Sequence, residues 1–296
     1  MNHYLFYIGQ NYSFEILRPL QQEIRQRNGK VAWFIEGSEV DSSKFHADEV
    51  LLSTVQEVIN FDPIAVFVPG NTVPRFIPGL KVQVFHGFEW KKKGHYKIRD
   101  CFDLYCTQGP QFTEEFNKIR AISKNKHYEI KETGWPKIDV LFNAIAYQWP
   151  SKRQVPTLLY APTFSPAFTS APDLYDEIKR LAKETKWQWL IKFHPKMPLE
   201  WIEKFSELSS DNIHIVDIES LASVLQAADV IISATSSIIT EFALLNRPVV
   251  TYRNSVPENH LIDIQQAHDL EKAIEQALTL SDEQLQKIQD NVAKLH

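Results

Sequence analysis

Glycine is scarce in this chain, with nine among 296 residues. No Gly-x-Gly-x-x-Gly follows the first strand-like segment and no Walker loop is present, which excludes a classical dinucleotide enzyme and a P-loop nucleotidase. Cysteine is scarcer still, with Cys101 and Cys106 alone. Their spacing matches neither a zinc nor a redox pattern, so two buried thiols in a reducing compartment are expected. Basic charge is not in excess, since 32 Lys and Arg face 37 Asp and Glu for a net charge of −5. A dedicated nucleic-acid binder needs the opposite balance. No apolar run reaches the roughly 18 residues of a membrane span. Met1–Tyr7 lacks the basic and apolar regions of a signal peptide and reads as a first strand. The expectation is a cytoplasmic globular protein.

What is present is ample core. Hydrophobic residues make up 44% and aromatics 12%, and the length suits two domains of roughly 150 residues each. Short apolar runs read as strands at Tyr4–Ile8, Val31–Phe34, Ile64–Val68, Lys81–Phe85 and Asp103–Cys106. The second half repeats them at Thr157–Tyr160, Gln188–Phe193, Ile213–Val216, Val230–Ser233 and Val249–Tyr252. Amphipathic stretches such as Phe14–Arg27, Asp173–Lys183 and Asp282–Leu295 lie between and after them. This alternation predicts parallel sheets flanked by helices. A polar segment with two prolines, near 146–156, reads as a linker. Two Rossmann-like domains are expected, 1–148 and 149–296, with the last helix packing back on the first.

The densest chemistry lies in 227–252, which reads as strand, small-residue turn, helix, strand. Thr235, Ser236 and Ser237 fall where the helix should begin, and amides and hydroxyls there suit a phosphate or diphosphate. The same residues are equally ordinary N-caps. Glu241 lies one turn further on, on a face that could reach a ribose. His86 closes the run Val82-Gln83-Val84-Phe85 and is followed by Gly87, which permits close approach. His194 closes Leu190-Ile191-Lys192-Phe193 before Pro195-Lys196. In parallel sheets the carboxyl ends of strands border the ligand crevice. One strand-end histidine is usually structural, but a pair of them, one per domain, can converge across a cleft. Thr163, after Tyr160-Ala161-Pro162, stands at the same kind of edge. Lys91, Lys92 and Lys93 are either a solvated surface or a phosphate-facing group. Gly134-Trp135-Pro136 reads as a tight turn.

In order, Phe85-His86-Gly87, Thr133-Gly134-Trp135-Pro136-Lys137-Ile138-Asp139, Leu159-Tyr160-Ala161-Pro162-Thr163, Ile191-Lys192-Phe193-His194-Pro195 and Ala228–Pro248 resemble the CDP-glycerol glycerophosphotransferases, the teichoic-acid primases and polymerases. The resemblance implies a GT-B-like α/β fold, two Rossmann-like domains with parallel sheets facing across a cleft. It implies His86 as general base toward an acceptor hydroxyl and His194 as the group that holds or neutralises the donor diphosphate. Thr163, Lys196, Thr235, Ser236 and Ser237 would then lie on the donor-phosphate side, with Glu241 near the ribose, and Gly87 and Lys91 on the acceptor side. Two departures stand out: Ala234-Thr235 replaces an Asp-Tyr pair, and Phe88-Glu89-Trp90-Lys91 replaces Thr-Pro-Leu-Lys.

The implied reaction moves a polyol phosphate such as glycerol phosphate from a CDP-linked donor to a cell-surface polysaccharide or glycolipid. No metal and no cofactor are expected. Three other readings fit the same fold: a glycosyltransferase using a CMP-, UDP- or GDP-sugar, a UDP-sugar 2-epimerase, and a non-catalytic partner in polysaccharide assembly. Peripheral contact with the inner face of the cytoplasmic membrane would draw on Lys118, Arg120, Lys124 and Lys126, which also fit a plain solvated helix face.

Overall fold

The computed structural model describes residues 1–88, 96–150, 154–217 and 221–295. It comprises two compact units, Met1–Val140 with the chain end from Lys294, and Leu141–Ala293. Each unit is built on a parallel sheet.

In the first unit the elements run β1 (His3–Ile8), α1 (Ser13–Gln26), β2 (Lys30–Ile35), β3 (Leu51–Leu52), α2 (Val55–Phe61), β4 (Ala65–Val68), β5 (Leu80–Gln83), β6 (Leu104–Thr107), α3 (Pro110–Ile122), β7 (Glu129–Glu132) and α4 (Pro136–Asn143). The sheet order among the described residues is β3-β2-β1-β4-β5-β6-β7. Strand order reverses between β1 and β4, whose register pairs Tyr4 with Ala65 and Phe6 with Phe67. That reversal is the switch point at which doubly wound sheets bind ligands. Leu5, Phe6, Tyr7 and Ile8 are all buried, as expected of a strand covered on both faces. Helix α1 buries Phe14, Leu17 and Gln21, one side of its surface. Gln21 is polar and buried because its Oε1 accepts the indole N–H of Trp33 at 2.7 Å.

The second unit runs β8 (Thr157–Tyr160), α5 (Ala171–Ala182), β9 (Gln188–Ile191), α6 (Leu199–Ser206), β10 (Ile213–Ile215), α7 (Leu221–Ala227), β11 (Val230–Ser233), α8 (Ile238–Ala243), β12 (Val249–Tyr252), β13 (Ile262–Ile264), α9 (Leu270–Leu278) and α10 (Asp282–Leu295). Its order, β10-β9-β8-β11-β12-β13, repeats the first arrangement, with the switch point between β8 and β11. Trp189, Leu158, Ile178 and Ile232 lie in its core. Asp229 ties the two central strands at their amino ends, accepting from the Thr157 amide at 2.7 Å.

Some expectations shift. Strand β5 stops at Gln83 rather than Phe85 because Phe85 adopts φ +60°. The helix expected after the Thr235-Ser236-Ser237 turn is short, the six residues Ile238–Ala243 of α8. In Gly134-Trp135-Pro136, expected as a tight turn, Gly134 takes φ +73°, and Pro136 opens α4. Both cysteines are free, and they are half-buried rather than buried. In the basic cluster, Lys118 lies 2.8 Å from Glu114 and 2.7 Å from Glu115, and Arg120 lies 3.3 Å from Glu129. Two of its four cations are therefore paired within the protein. No helix among the described residues is long and apolar enough to cross a membrane.

Candidate active site

In the first unit the site residues gather at the carboxyl end of the sheet. Phe85 is buried at φ +60°, a conformation a bulky side chain adopts only when its surroundings enforce it. Its ring is pinned by Phe116 at 5.3 Å and Tyr105 at 6.3 Å. The turn this forces brings His86 out of the strand direction to the sheet edge. There Nδ1 of His86 lies 3.0 Å from the Pro69 carbonyl, which follows β4. Tyr12, after β1, stacks on the imidazole with centroids 5.3 Å apart, and burial raises the Tyr12 pKa.

A carbonyl oxygen can only accept, so Nδ1 carries the proton in this bond. In the neutral ring the lone pair then sits on Nε2. Gly87 is fixed beside it, its carbonyl accepting from Gln108 Nε2 at 2.8 Å. Gln83 Nε2 donates to the Gly70 carbonyl at 3.0 Å on the other flank. Phe88 packs edge-on against Trp135 at 5.0 Å, which connects the His-Gly turn with the Gly-Trp-Pro turn. Lys91, Lys92 and Lys93 lie outside the described residues.

In the second unit Thr163, Thr235 and Ser255 are joined. Thr163 Oγ1 donates to the Thr235 carbonyl at 3.0 Å, linking the turn after β8 to the turn after β11. Thr235 Oγ1 accepts from the Ser255 amide at 3.0 Å and lies 3.2 Å from the Ser255 hydroxyl. The Thr235 hydroxyl is thus engaged with the loop after β12. Ser236 Oγ accepts weakly from the Ile238 amide at 3.4 Å. Ser237 is exposed and makes no capping bond through its side chain. Glu241 lies half-buried within α8.

His194 follows β9 and is stacked by Phe164 at 4.3 Å, an aromatic immediately after Thr163. Its Nδ1 receives a hydrogen bond from the Lys196 backbone N–H at 3.0 Å. An amide can only donate, so here Nδ1 is the acceptor and the neutral ring carries its proton on Nε2. Partial burial, then the Lys196 and Lys192 charges, lowers the His194 pKa. His194 is therefore a neutral hydrogen-bond donor through Nε2, with two lysines supplying positive potential nearby.

The two histidines are thus held in opposite tautomers by backbone groups. Tyr12, Gln108, Phe164 and Ser255 complete these surroundings. None belongs to a motif, but each of the four follows the end of a strand. That position was their only signal.

Residues 81–258, more than half of the chain, match the model of the family described as CDP-Glycerol:Poly(glycerophosphate) glycerophosphotransferase. The chain belongs to this family. It is similar to the teichoic acid glycerol-phosphate primase of Bacillus spizizenii, with 34% identity over 110 residues, 36% of this chain and 27% of the relative. The primase of Bacillus subtilis is 31% identical over 170 residues, 54% of this chain and 42% of the relative. These matches span less than half the length of either primase.

A structure of the wall teichoic acid polymerase TagF superposes with a TM-score of 0.69 at 15% identity, covering 99% of this chain and 84% of that one. S. aureus MnaA with UDP gives 0.65 at 15% identity, covering 100% and 92%. The chain therefore has the GT-B-like α/β fold that the resemblance implies. At these identities structural likeness speaks for the fold alone, and it is shared by polymerase and MnaA alike. The family match separates them.

Proposed function

We propose that this chain transfers glycerol phosphate from CDP-glycerol to a hydroxyl of a teichoic-acid-like surface polymer or glycolipid and releases CMP. The observation that carries the reading is the opposed tautomer pair. His86 Nε2 takes the proton from the acceptor hydroxyl as the oxygen attacks the phosphorus that bears glycerol. The bond from that phosphorus to the bridging oxygen of CMP breaks, and CMP leaves with the electron pair. His194 Nε2–H donates to the donor's phosphate oxygens while the Lys192 and Lys196 side chains offset their charge.

The turn of Thr235, Ser236 and Ser237 supports the donor phosphates through the Ser236 and Ser237 hydroxyls. The Thr235 hydroxyl shapes the turn, because it is already bonded to Ser255. With only six residues in α8, hydroxyls and local amides matter more here than a helix dipole. Glu241 is assigned to the ribose, Gly87 to the acceptor side. Contact with a membrane face, if the acceptor is lipid-linked, would fall to Lys124 and Lys126 rather than to the paired Lys118 and Arg120.

The test is release of CMP from CDP-glycerol by the purified chain with and without oligosaccharide or glycolipid acceptors, with the linkage of the product determined. A new phosphodiester that needs acceptor and disappears in His86→Ala supports the reading. A glycosidic linkage from a nucleotide sugar, or selective binding of UDP-sugars over CDP-glycerol, overturns it.

A further inference from the structure

A cavity of about 290 Å³ opens beside the carboxyl ends of β1 and β2, and none of its lining residues lies within the family match of 81–258. Its lining includes the aromatic residues Tyr7, Phe34 and Phe76, the aliphatic residues Val58 and Ile77, and the acidic residue Glu36. Tyr7 and Phe34 stack with centroids 5.9 Å apart, while Phe76 is 61% exposed. Such an exposed aromatic over an apolar cavity is a candidate for ligand contact.

The charged residue among those lining the cavity is acidic, Glu36. None of the lining residues is Lys, Arg or His. The segment leaving β2 reads Glu36-Gly37-Ser38-Glu39-Val40-Asp41, with three carboxylates. Arg75, between the lining residues Pro74 and Phe76, donates instead to the Asp100 carbonyl at 3.2 Å. The Tyr7 hydroxyl donates to Glu36, and burial first, then that bond, holds the phenol above its ordinary range. Glu36 thus brings a carboxylate side chain to a lining that also holds three aromatic residues.

Phosphates and carboxylates are disfavoured there. A neutral apolar ligand would fill the walls but make no use of Glu36. Aromatic faces, methyl-sized aliphatic contacts and one carboxylate together match a cation that carries its own apolar substituents. We propose that this cavity binds an alkylated ammonium group, of the quaternary or N-methylated amine class. None of the cavity's lining residues is among those assigned to the transfer chemistry.

The experiment titrates the intact chain calorimetrically with choline and, separately, with 3,3-dimethylbutan-1-ol, its uncharged carbon isostere, at constant ionic strength. Choline should bind about ten-fold more tightly than the isostere, the ratio expected of one cation–aromatic contact. Glu36→Gln and Phe76→Ala should each remove most of that preference. Both positions are exposed, so their melting temperatures should match the parent and serve as the folding control. Equal binding of choline and its isostere, no binding of choline, or choline binding unchanged in both variants would each overturn the proposal.

Discussion

The Thr163 hydroxyl donates to the backbone carbonyl of Thr235 across 3.0 Å. This bond joins the two turns that flank the switch point of the second sheet. It is reinforced one step deeper, where the Ser233 hydroxyl donates to the Ala161 carbonyl at 2.7 Å. The two turns are thereby built as one unit, and the conformation of Ser236 and Ser237 depends on a side chain in a distant part of the chain.

Thr163→Val keeps the shape and removes the donor. A single such bond contributes about 1 kcal/mol to stability, so denaturant unfolding should shift modestly. Affinity for CDP-glycerol, read by calorimetry, should fall by about ten-fold because the loosened turn no longer presents its hydroxyls in one geometry. A large stability loss with donor affinity unchanged would show the bond to be purely structural.

The tautomer of His194 makes a pH prediction. Partial burial, Lys196 and Lys192 lower its pKa in the folded protein, against about 6.5 in an unfolded chain. Between those values the unfolded chain binds a proton that the folded chain refuses, so this contribution to stability is complete above pH of about 6.5 and is lost as pH falls through the folded value. Nitrogen-resolved NMR of the folded protein should show a protonated Nε2 and a low titration midpoint. Lys192→Ala combined with Lys196→Ala should move that midpoint upward, and a midpoint that stays put would refute the electrostatic part of the account.

Much of this architecture was legible from apolar periodicity, and the elements that were not have identifiable physical reasons. Strand β7, Glu-Ile-Lys-Glu, is an edge strand with one apolar residue, and such strands carry almost no pattern. Strand β3 has two residues, too few for any period. Helix α4 was hidden by Gly134-Trp135-Pro136, where a proline read as a turn instead occupies the first helical position. At the site, His86 and His194 stood out because each ends an apolar run. Their opposed roles did not, since a tautomer is set by backbone groups of Pro69 and Lys196 whose placement only the fold reveals. The left-handed Phe85 was equally invisible, because Val-Phe-His reads as continuing strand.

The core of the first unit offers a stability test of one buried polar pair. Gln21 Oε1 accepts from the Trp33 indole at 2.7 Å, and Gln21 Nε2 donates to Glu49 at 2.9 Å. Gln21→Leu leaves a buried indole N–H without a partner and should cost about 1–3 kcal/mol in urea unfolding. Adding Trp33→Phe to that variant removes the stranded donor. The double variant should therefore lose less than the sum of the two single variants, and simple additivity would show that the bond has no role.

His86→Asn separates the two nitrogens of the candidate base. The asparagine amide N lies at about the position of Nδ1, so it can still donate to the Pro69 carbonyl that His86 contacts at 3.0 Å. Nothing replaces Nε2. The fold and affinity for CDP-glycerol should therefore stay near the parent, while transfer to acceptor should fall by about 10²–10⁴-fold, the usual contribution of a general base. His86→Gln offers the converse, a polar atom near Nε2 with the Pro69 bond lost. It should lose transfer as well, because an amide is not basic, and it should also lose thermal stability. If His86→Asn transfers glycerol phosphate at the parent rate, the proton must leave the acceptor by another route. If it loses donor binding instead, His86 holds the donor rather than activating the acceptor.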